Sequence, residues 1–247
     1  MKIFGLVGFP LTHSWSARYF TEKFEKEGIT DQAYQLFPLQ VIAGIKGLIL
    51  KNPDLQGFNV TIPHKVSILP ILDDTDQHAI EIGAVNTVKI YREGRAVLLK
   101  GFNTDAEGFL KSLPEQLNHR KALVLGTGGA AKAVAWGLRQ RGIAYLFVSR
   151  TKKLNDTIQY EELDQDLLSE HTFIINTTPV GMFPGITNAP PLPYHLLDHH
   201  HFLYDLVYNP EETIFLRQGK QCGAQTLNGL PMLINQAEAA YRIFTSD

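Results

Sequence analysis

Ala122-Leu123-Val124-Leu125-Gly126-Thr127-Gly128-Gly129-Ala130-Ala131 decides how the second half of this chain folds. Four apolar residues in unbroken succession suit a central parallel strand buried on both faces. The glycines end that strand and open a helix, AAKAVAWGLRQRG, amphipathic and stopped at Gly142. In such a turn Gly126 permits the tight bend, Gly128 the close approach of a pyrophosphate, and Ala131 close packing of helix on strand. Unpaired amides at the start of the helix then favour anionic oxygens. A G-x-G-x-x-A string alone is weak. A strand before it and a helix after it make it a nucleotide site.

Further strands follow at YLFVS (145–149), FIIN (173–176), FLYDLV (202–207) and AQTLN (224–228), with helical or loop segments between them. This order implies a doubly wound, Rossmann-like parallel sheet from about residue 106 to 228. The strand after the glycine turn usually ends on Asp or Glu when the ligand is NAD. Here it ends Ser149-Arg150-Thr151-Lys152-Lys153. A carboxylate would repel a ribose 2′-phosphate, whereas an arginine flanked by hydroxyls accepts one, so NADP is preferred over NAD.

The first hundred residues alternate differently. IFGLVG (3–8) reads as a strand, and Ser14 or Ser16 can cap the helix SARYFTEKFEKEG that ends at Gly28. YQLFPL (34–39) and FNVTI (58–62) are further strands, and AVNTVKIY with AVLLKGFN form a hairpin turning at Glu93-Gly94. NGLPMLINQAEAAYRIF closes the chain as a helix capped by Asn228. The whole is α/β with two domains, an N-terminal mixed-sheet domain and the parallel-sheet domain, the pattern changing near Asp105.

The 247 residues carry a net charge of −2, with 44% apolar and 19% charged side chains. That is an ordinary globular composition without the basic footprint that nucleic acid or anionic membrane requires. Partners are therefore expected to be small molecules. No run approaches about 20 apolar residues, so no membrane span is expected, and the cytoplasm is the default compartment. Cys222 is the sole cysteine, which excludes an intramolecular disulfide and argues against a Cys/His metal centre. Asp198-His199-His200-His201 lacks any metal-ligand spacing and reads as a solvated turn; no metal is expected. Trp136, Phe20 and Phe24 read as packing residues, and His13 and His64 receive no role.

Four stretches of the first half place polar residues among apolar ones: LTHSWS (11–16), NVTIPHK (59–65), GAVNT (83–87) and GFNTD (101–105). In an extended segment the hydroxyls of Ser14 and Ser16 point to one side, and Asn59 and Thr61 share a strand face, as a side-chain-lined ligand site needs. Each has an ordinary structural alternative in a cap, a strand or a turn.

The ordered set GFPLTHSWS, FNVTIPHK, GAVNTV, GFNTD, LGTGGAAKA, SRT, INTTPVGM, YDLVYNP and NGLPMLINQA resembles the motifs of the shikimate dehydrogenases from near Gly8 to near Ala237. The resemblance implies a substrate domain, residues 1–105 plus 229–247, facing an NADP domain, residues 106–228, across a cleft. It implies NADPH-dependent reduction of the ketone of 3-dehydroshikimate. Ser14 and Ser16 match hydroxyls that hold the substrate carboxylate. Thr61, Asn86, Asp105 and Gln236 match ring-hydroxyl and ketone-side contacts, with Asn59 near them, and Tyr208 matches a tyrosine that reaches the substrate. Lys65 matches the catalytic lysine, paired with Asp105. Gly126, Thr127, Gly128, Gly129, Ala130, Ser149, Arg150, Thr151, Leu206, Gly229 and Met232 match cofactor-side positions. Ser149 stands where the family commonly has Asn, Leu154 where it often has a basic residue, and Leu206 where it often has Met.

Hydride transfer to a ketone builds negative charge on its oxygen, which calls for a proton donor or a positive hydrogen bond there. Lys65 fills that role as a proton shuttle if burial dominates its environment, or as a fixed cation if Asp105 does. Rival readings are a quinate/shikimate dehydrogenase of broader range, a methylenetetrahydrofolate dehydrogenase-like enzyme, and an NADP-sensing protein without chemistry. The serines with Asn86 and Asp105 suit a small polyhydroxylated acid better than a pterin, and a sensor would not need Lys65 and Asp105. Monomer and homodimer are both open.

Overall fold

A computed structural model describes residues 1–11, 14–94, 96–151 and 156–246. The chain forms two compact units, Met1–Thr104 with Ala237–Asp247, and Asp105–Gln236.

The first unit contains β1 (Lys2–Gly8), α1 (Trp15–Lys26), β2 (Gln32–Pro38), α2 (Ile45–Lys51), β3 (Leu55–Val60), β4 (Asp74–Thr75), α3 (Gln77–Ile82), β5 (Thr87–Glu93) and β6 (Ala96–Phe102). Its sheet runs β2-β1-β3-β5-β6-β4. Strands β1, β2 and β3 pair parallel, β3–β5 and β5–β6 antiparallel. The β5–β6 hairpin turns at Gly94, whose φ of +60° suits a residue without Cβ. One face of the sheet packs Val7, Phe58, Val88 and Leu99 against Ile45, Ile49 and Ile68.

The second unit contains α4 (Thr104–Ser112), which begins on the last residue of the first unit's N-terminal stretch, then β7 (Lys121–Leu125), α5 (Gly129–Gln140), β8 (Ala144–Val148), β9 (Thr157–Ile158), α6 (Gln165–Glu170), β10 (Phe173–Asn176), β11 (Phe202–Asp205), α7 (Ile214–Gln221), β12 (Gln225–Leu227) and the first turns of α8 (Leu230–Thr245). All neighbours in its sheet, β12-β11-β10-β7-β8-β9, are parallel. The chain builds outward from β7 to β9, then returns to place β10 on the other side of β7. That reversal is the topological switch point at which open α/β sheets bind ligands. Ala122 to Leu125 are wholly buried, as a central strand with helices on both faces must be.

Sequence reading placed 229–247 with the first unit, whereas residues up to Gln236 group with the second. The reason is packing: Met232 belongs to the second unit's core, and a Cβ on Gly108 would stand 2.7 Å from the Met232 carbonyl and 2.8 Å from the Gln236 Cβ. From Ala237 onward α8 serves the first unit, where Ala237, Ala240 and Phe244 pack with Phe4, Phe20, Phe24 and Tyr34. Lys89 is buried and donates to the Ser246 carbonyl and hydroxyl, fixing the end of that helix. Trp136 is buried within α5, as its apolar surroundings lead one to expect. Among the described residues no helix is long and apolar enough to cross a membrane.

Phe58 is fully buried, whereas Leu98 remains 43% exposed. Phe58→Ala is expected to lower stability by about 3–5 kcal/mol and Leu98→Ala by less than about 1 kcal/mol. Urea unfolding followed by circular dichroism reads the difference.

Candidate active site

In the first unit, backbone hydrogen bonds bring three of the polar stretches together. Val85 N–H donates to the Lys65 carbonyl (2.8 Å), Val60 N–H to the Asn86 carbonyl (2.7 Å), and Asn86 N–H to the Phe102 carbonyl (3.1 Å). The Asn103 amide reaches the Ala84 carbonyl at 2.8 Å. Lys65 is half-buried beside His64, whose buried ring lies 2.5 Å from the Leu39 carbonyl. Thr61 lies one residue past β3, not within it, although its N–H still reaches Val7 at 2.9 Å. A Cβ on Gly8 would stand 2.3 Å from the Thr61 methyl, so only glycine leaves that side chain its place.

Ser14 and Ser16 do not lie on one extended segment. Ser14 is extended (φ −120°, ψ 119°) and caps α1, its Oγ accepting from Ala17 N–H at 3.3 Å, while Ser16 lies in the helix's first turn. The cap forces this: once Ser14 takes that amide, helical geometry begins at Trp15. Thr12 and His13 lie outside the described residues.

Ser16 leads into a chain of polar contacts that sequence reasoning missed. Its hydroxyl bonds the phenol of buried Tyr34, which donates to Asn59 Oδ1 at 2.8 Å. Asn59 Nδ2 donates to Thr87 Oγ1 (3.1 Å) and the Asn86 carbonyl (3.3 Å). Asn86 Oδ1 accepts from Thr104 N–H at 2.7 Å, and its Nδ2 donates to Thr104 Oγ1 at 3.0 Å. Burial pushes the Tyr34 phenol far above its usual range, so it acts as a neutral donor. Thr87 and Thr104 lie inside the motifs GAVNT and GFNTD and could have been singled out there. Tyr34 carries no local signal.

In the second unit, Asp105 is buried in the first turn of α4. Gly108, on the same helix face one turn on, meets the backbone of Gln236 and so lets α4 and α8 approach closely. Gln236 is buried. Tyr208 is half-buried just beyond β11.

The carboxyl ends of the parallel strands are knitted in series. Gly126 N–H donates to Val148, Thr177 N–H to Leu125, Leu206 N–H to Asn176 and Gly229 N–H to Val207, at 2.8–3.1 Å. Gly126 has φ +106°, and a Cβ there would come within 3.0 Å of Thr177 Oγ1 and the Thr178 methyl. A Cβ on Gly128, the N-cap of α5, would meet nothing within 4 Å, which leaves the start of that helix open to a close-lying group. Thr127, Gly129 and Ala130 are half-buried around it. Ser149 bonds Ile158 through its N–H, and Arg150 and Thr151 are exposed at the end of β8. This Cβ-poor edge, with the start of α5 at its glycine turn and an arginine one strand away, fits an anionic dinucleotide. Met232 faces the core, and a Cβ on Gly229 would fall 2.1 Å from the Leu206 carbonyl. Lys152, Lys153 and Leu154 lie outside the described residues.

Asp205 was not singled out from sequence. It ends β11 wholly buried, its Oδ1 accepting from Asn176 Nδ2 (2.9 Å) and Val207 N–H (3.0 Å), its Oδ2 from the Thr213 hydroxyl (2.6 Å). Burial raises its pKa to about 6, against the pull of those three donors. Far from this edge, Asp198, His199 and His200 are exposed, with ligand-type atoms within 4.8 Å of one another. Asp198 Oδ1 there accepts from His200 N–H and meets the ring of buried His201 at 2.9 Å, which organises the turn.

A family model for the shikimate dehydrogenase substrate-binding domain matches residues 6–88. The NADP-dependent shikimate dehydrogenase of Caldanaerobacter subterraneus is 38% identical, over 100% of this chain and 92% of its own. The chain belongs to the shikimate dehydrogenase family. Among solved members of similar shape is the Thermus thermophilus shikimate 5-dehydrogenase in complex with NADP(H) and shikimate, at 33% identity and TM-score 0.84, covering 99% of this chain and 94% of that one. The quinate dehydrogenase of Corynebacterium glutamicum, in complex with NAD, also superposes with TM-score 0.84, at 26% identity over 99% of this chain and 93% of its own.

An aspartate with a raised pKa holds its proton more tightly when folded than when unfolded. The folded state therefore loses stability as pH rises from the unfolded carboxylate value through about 6. Asp205→Asn removes that loss. Relative to the parent protein, the variant is expected to gain about 2 kcal/mol between pH ~4 and ~7, read by urea unfolding at both pH values.

Proposed function

We propose that this chain catalyses the reversible reduction of 3-dehydroshikimate to shikimate, with NADPH as the reductant. The observation that carries this reading is full-length likeness to NADP-dependent shikimate dehydrogenases, together with a first unit in which NVTIPHK, GAVNT and GFNTD are tied by their backbones. NADPH supplies the hydride. The nucleotide would be held by Gly126 to Ala130 at the pyrophosphate and by Ser149, Arg150 and Thr151 at the 2′-phosphate, with Leu206, Gly229 and Met232 nearer the nicotinamide.

The remaining work falls to the protein's own side chains. Ser14 and Ser16 donate to the substrate carboxylate, and Ser16 must turn its proton from Tyr34 to do so, because the Tyr34 proton is already given to Asn59. Thr61, Asn86, Tyr208 and Gln236 select the ring hydroxyls, and Asn59 keeps Asn86 in place. Lys65 donates a proton or a charged hydrogen bond to the ketone oxygen as negative charge grows there. Asp105 serves as an acceptor for a substrate hydroxyl. The proposed setting is cytoplasmic, in keeping with the free thiol of Cys222 and a small-molecule substrate.

The likeness to an NAD-bound quinate dehydrogenase, with Ser149 in place of the family's usual Asn, supports a second reading in which quinate and NAD are also accepted. Absorbance of NADPH or NADH on mixing shikimate or quinate with each oxidised cofactor separates the two. Fastest turnover with shikimate and NADP is expected, and no reduction with any pair overturns both.

Lys65→Ala is expected to lower kcat by about 100-fold or more with a smaller change in KM, because the interaction strengthens toward the transition state. Ser14→Ala should chiefly raise the KM for shikimate, by about 10-fold. Steady-state kinetics at saturating cofactor reads both effects.

A further inference from the structure

Tyr208 and Leu206 are placed by a loop, and a loop holds its shape only if something ties it down. After β11 the chain leaves the sheet at Asp205 and runs through Leu206, Val207 and Tyr208. After β10 it leaves at Asn176 and runs through Thr177 and Thr178. Both segments lie at the carboxyl edge, on the β10–β11 side of the switch point. The backbone bond from Leu206 N–H to the Asn176 carbonyl joins them at their first step, and one from Phe183 N–H to the Asn209 carbonyl, at 3.1 Å, joins them again further out.

Between those two backbone bonds one carboxylate adds the side-chain joining. Asp205 Oδ1 takes Val207 N–H from its own loop and Asn176 Nδ2 from the neighbouring strand end. Asn176 Oδ1 in turn takes the N–H (3.1 Å) and hydroxyl (2.6 Å) of Thr178. Asp205 Oδ2 takes the hydroxyl of Thr213, the N-cap of α7, whose Oγ1 also accepts from Leu216 N–H at 3.4 Å. Three segments of chain thus meet on one buried side chain. A buried carboxylate is costly unless its oxygens are filled, so the arrangement stands or falls as a set.

We infer that Asp205 is a positioning residue for hydride transfer, holding the post-β10 and post-β11 loops in mutual register and thereby fixing Leu206 and Tyr208. The inference rests on the reaction proposed above. Asp205 touches neither substrate nor cofactor in this reading; it acts through Val207 N–H and Asn176. The pyrophosphate turn at Gly126 to Ala130 and Arg150 belong to other strand ends, so nucleotide affinity depends on it only weakly, through Leu206. Alignment of the reacting carbons does, and displacement on the order of 1 Å is enough to cost about 100-fold in rate.

The test compares Asp205→Ala and Asp205→Asn with the parent enzyme. NADPH binding is measured by fluorescence titration, kcat is expressed per NADPH-binding site, and the kinetic isotope effect is measured with NADPH deuterated at the transferred position. Asp205→Ala is expected to lower kcat at least 10-fold and enlarge the isotope effect, while NADPH affinity changes less than threefold. Asp205→Asn keeps an oxygen for Val207 and Asn176 and offers its NH2 to the Thr213 oxygen, so kcat should stay within about threefold of the parent value. A merely structural role would lower the number of binding sites and leave kcat per site and the isotope effect unchanged. That result in Asp205→Ala overturns the inference, as does an equal loss in both variants. If Asp205→Ala does not fold, Thr213→Val, which deletes the donor to Oδ2 along with the weak cap to Leu216 N–H, is read in the same way: a drop of at least threefold in kcat per site supports the inference, and an unchanged value overturns it. An inactive parent enzyme would instead count against the reaction itself.

Discussion

Four backbone hydrogen bonds at the carboxyl edge of the parallel sheet set the conditions for everything else in the second unit. Gly126, Thr177 and Leu206, each the first residue beyond its strand, donate to the last carbonyl of the neighbouring strand, and Gly229, just past β12, donates to Val207, just past β11. Strands β8, β7, β10, β11 and the segment after β12 are thereby joined in series. Parallel pairing supplies the ladder, and the reversal of strand order between β7 and β10 opens the space above it. Glycine is demanded at two points: Gly126 for a left-handed bend against Thr177 and Thr178, and Gly229 where its neighbour's carbonyl leaves no room for a methyl group.

In the first unit the organising constraint is polar. Asn59, Asn86, Thr87 and Thr104 lie in the interior, each held by another member of the set. A buried amide left unmatched costs about 1–3 kcal/mol, so these groups specify one arrangement of the sheet more sharply than an apolar core of equal volume. The network that keeps the sheet unique also carries Asn86, and its end reaches Ser16. In the reaction proposed above, structural and binding roles therefore overlap in the same side chains.

Legibility in the sequence followed physical range. ALVL and FIIN were readable because continuous apolar runs leave a central parallel strand little alternative, and Gly94 and Asn228 because their jobs at a turn and a cap are local. Ser14 and Ser16 misled: two hydroxyls two residues apart suggest a shared face, but a cap bond turns the backbone helical between them. Tyr34 and Asp205 were invisible as site-supporting residues because their partners lie 25 and 29 positions away, at Asn59 and Asn176. The two-residue strands β4 and β9 were equally silent, since so short a segment has no periodicity to read.

Helix α8 has one further consequence. Its later residues finish the hydrophobic interior around the very first strand: Phe244 stacks on Phe4 with ring centroids 5.0 Å apart, and Phe4 is almost wholly hidden. The opening strand of the polypeptide thus waits for the closing turns before it is covered. During synthesis, the amino-terminal sheet must pass some time with an apolar flank bare while more than a hundred residues of the neighbouring unit are made.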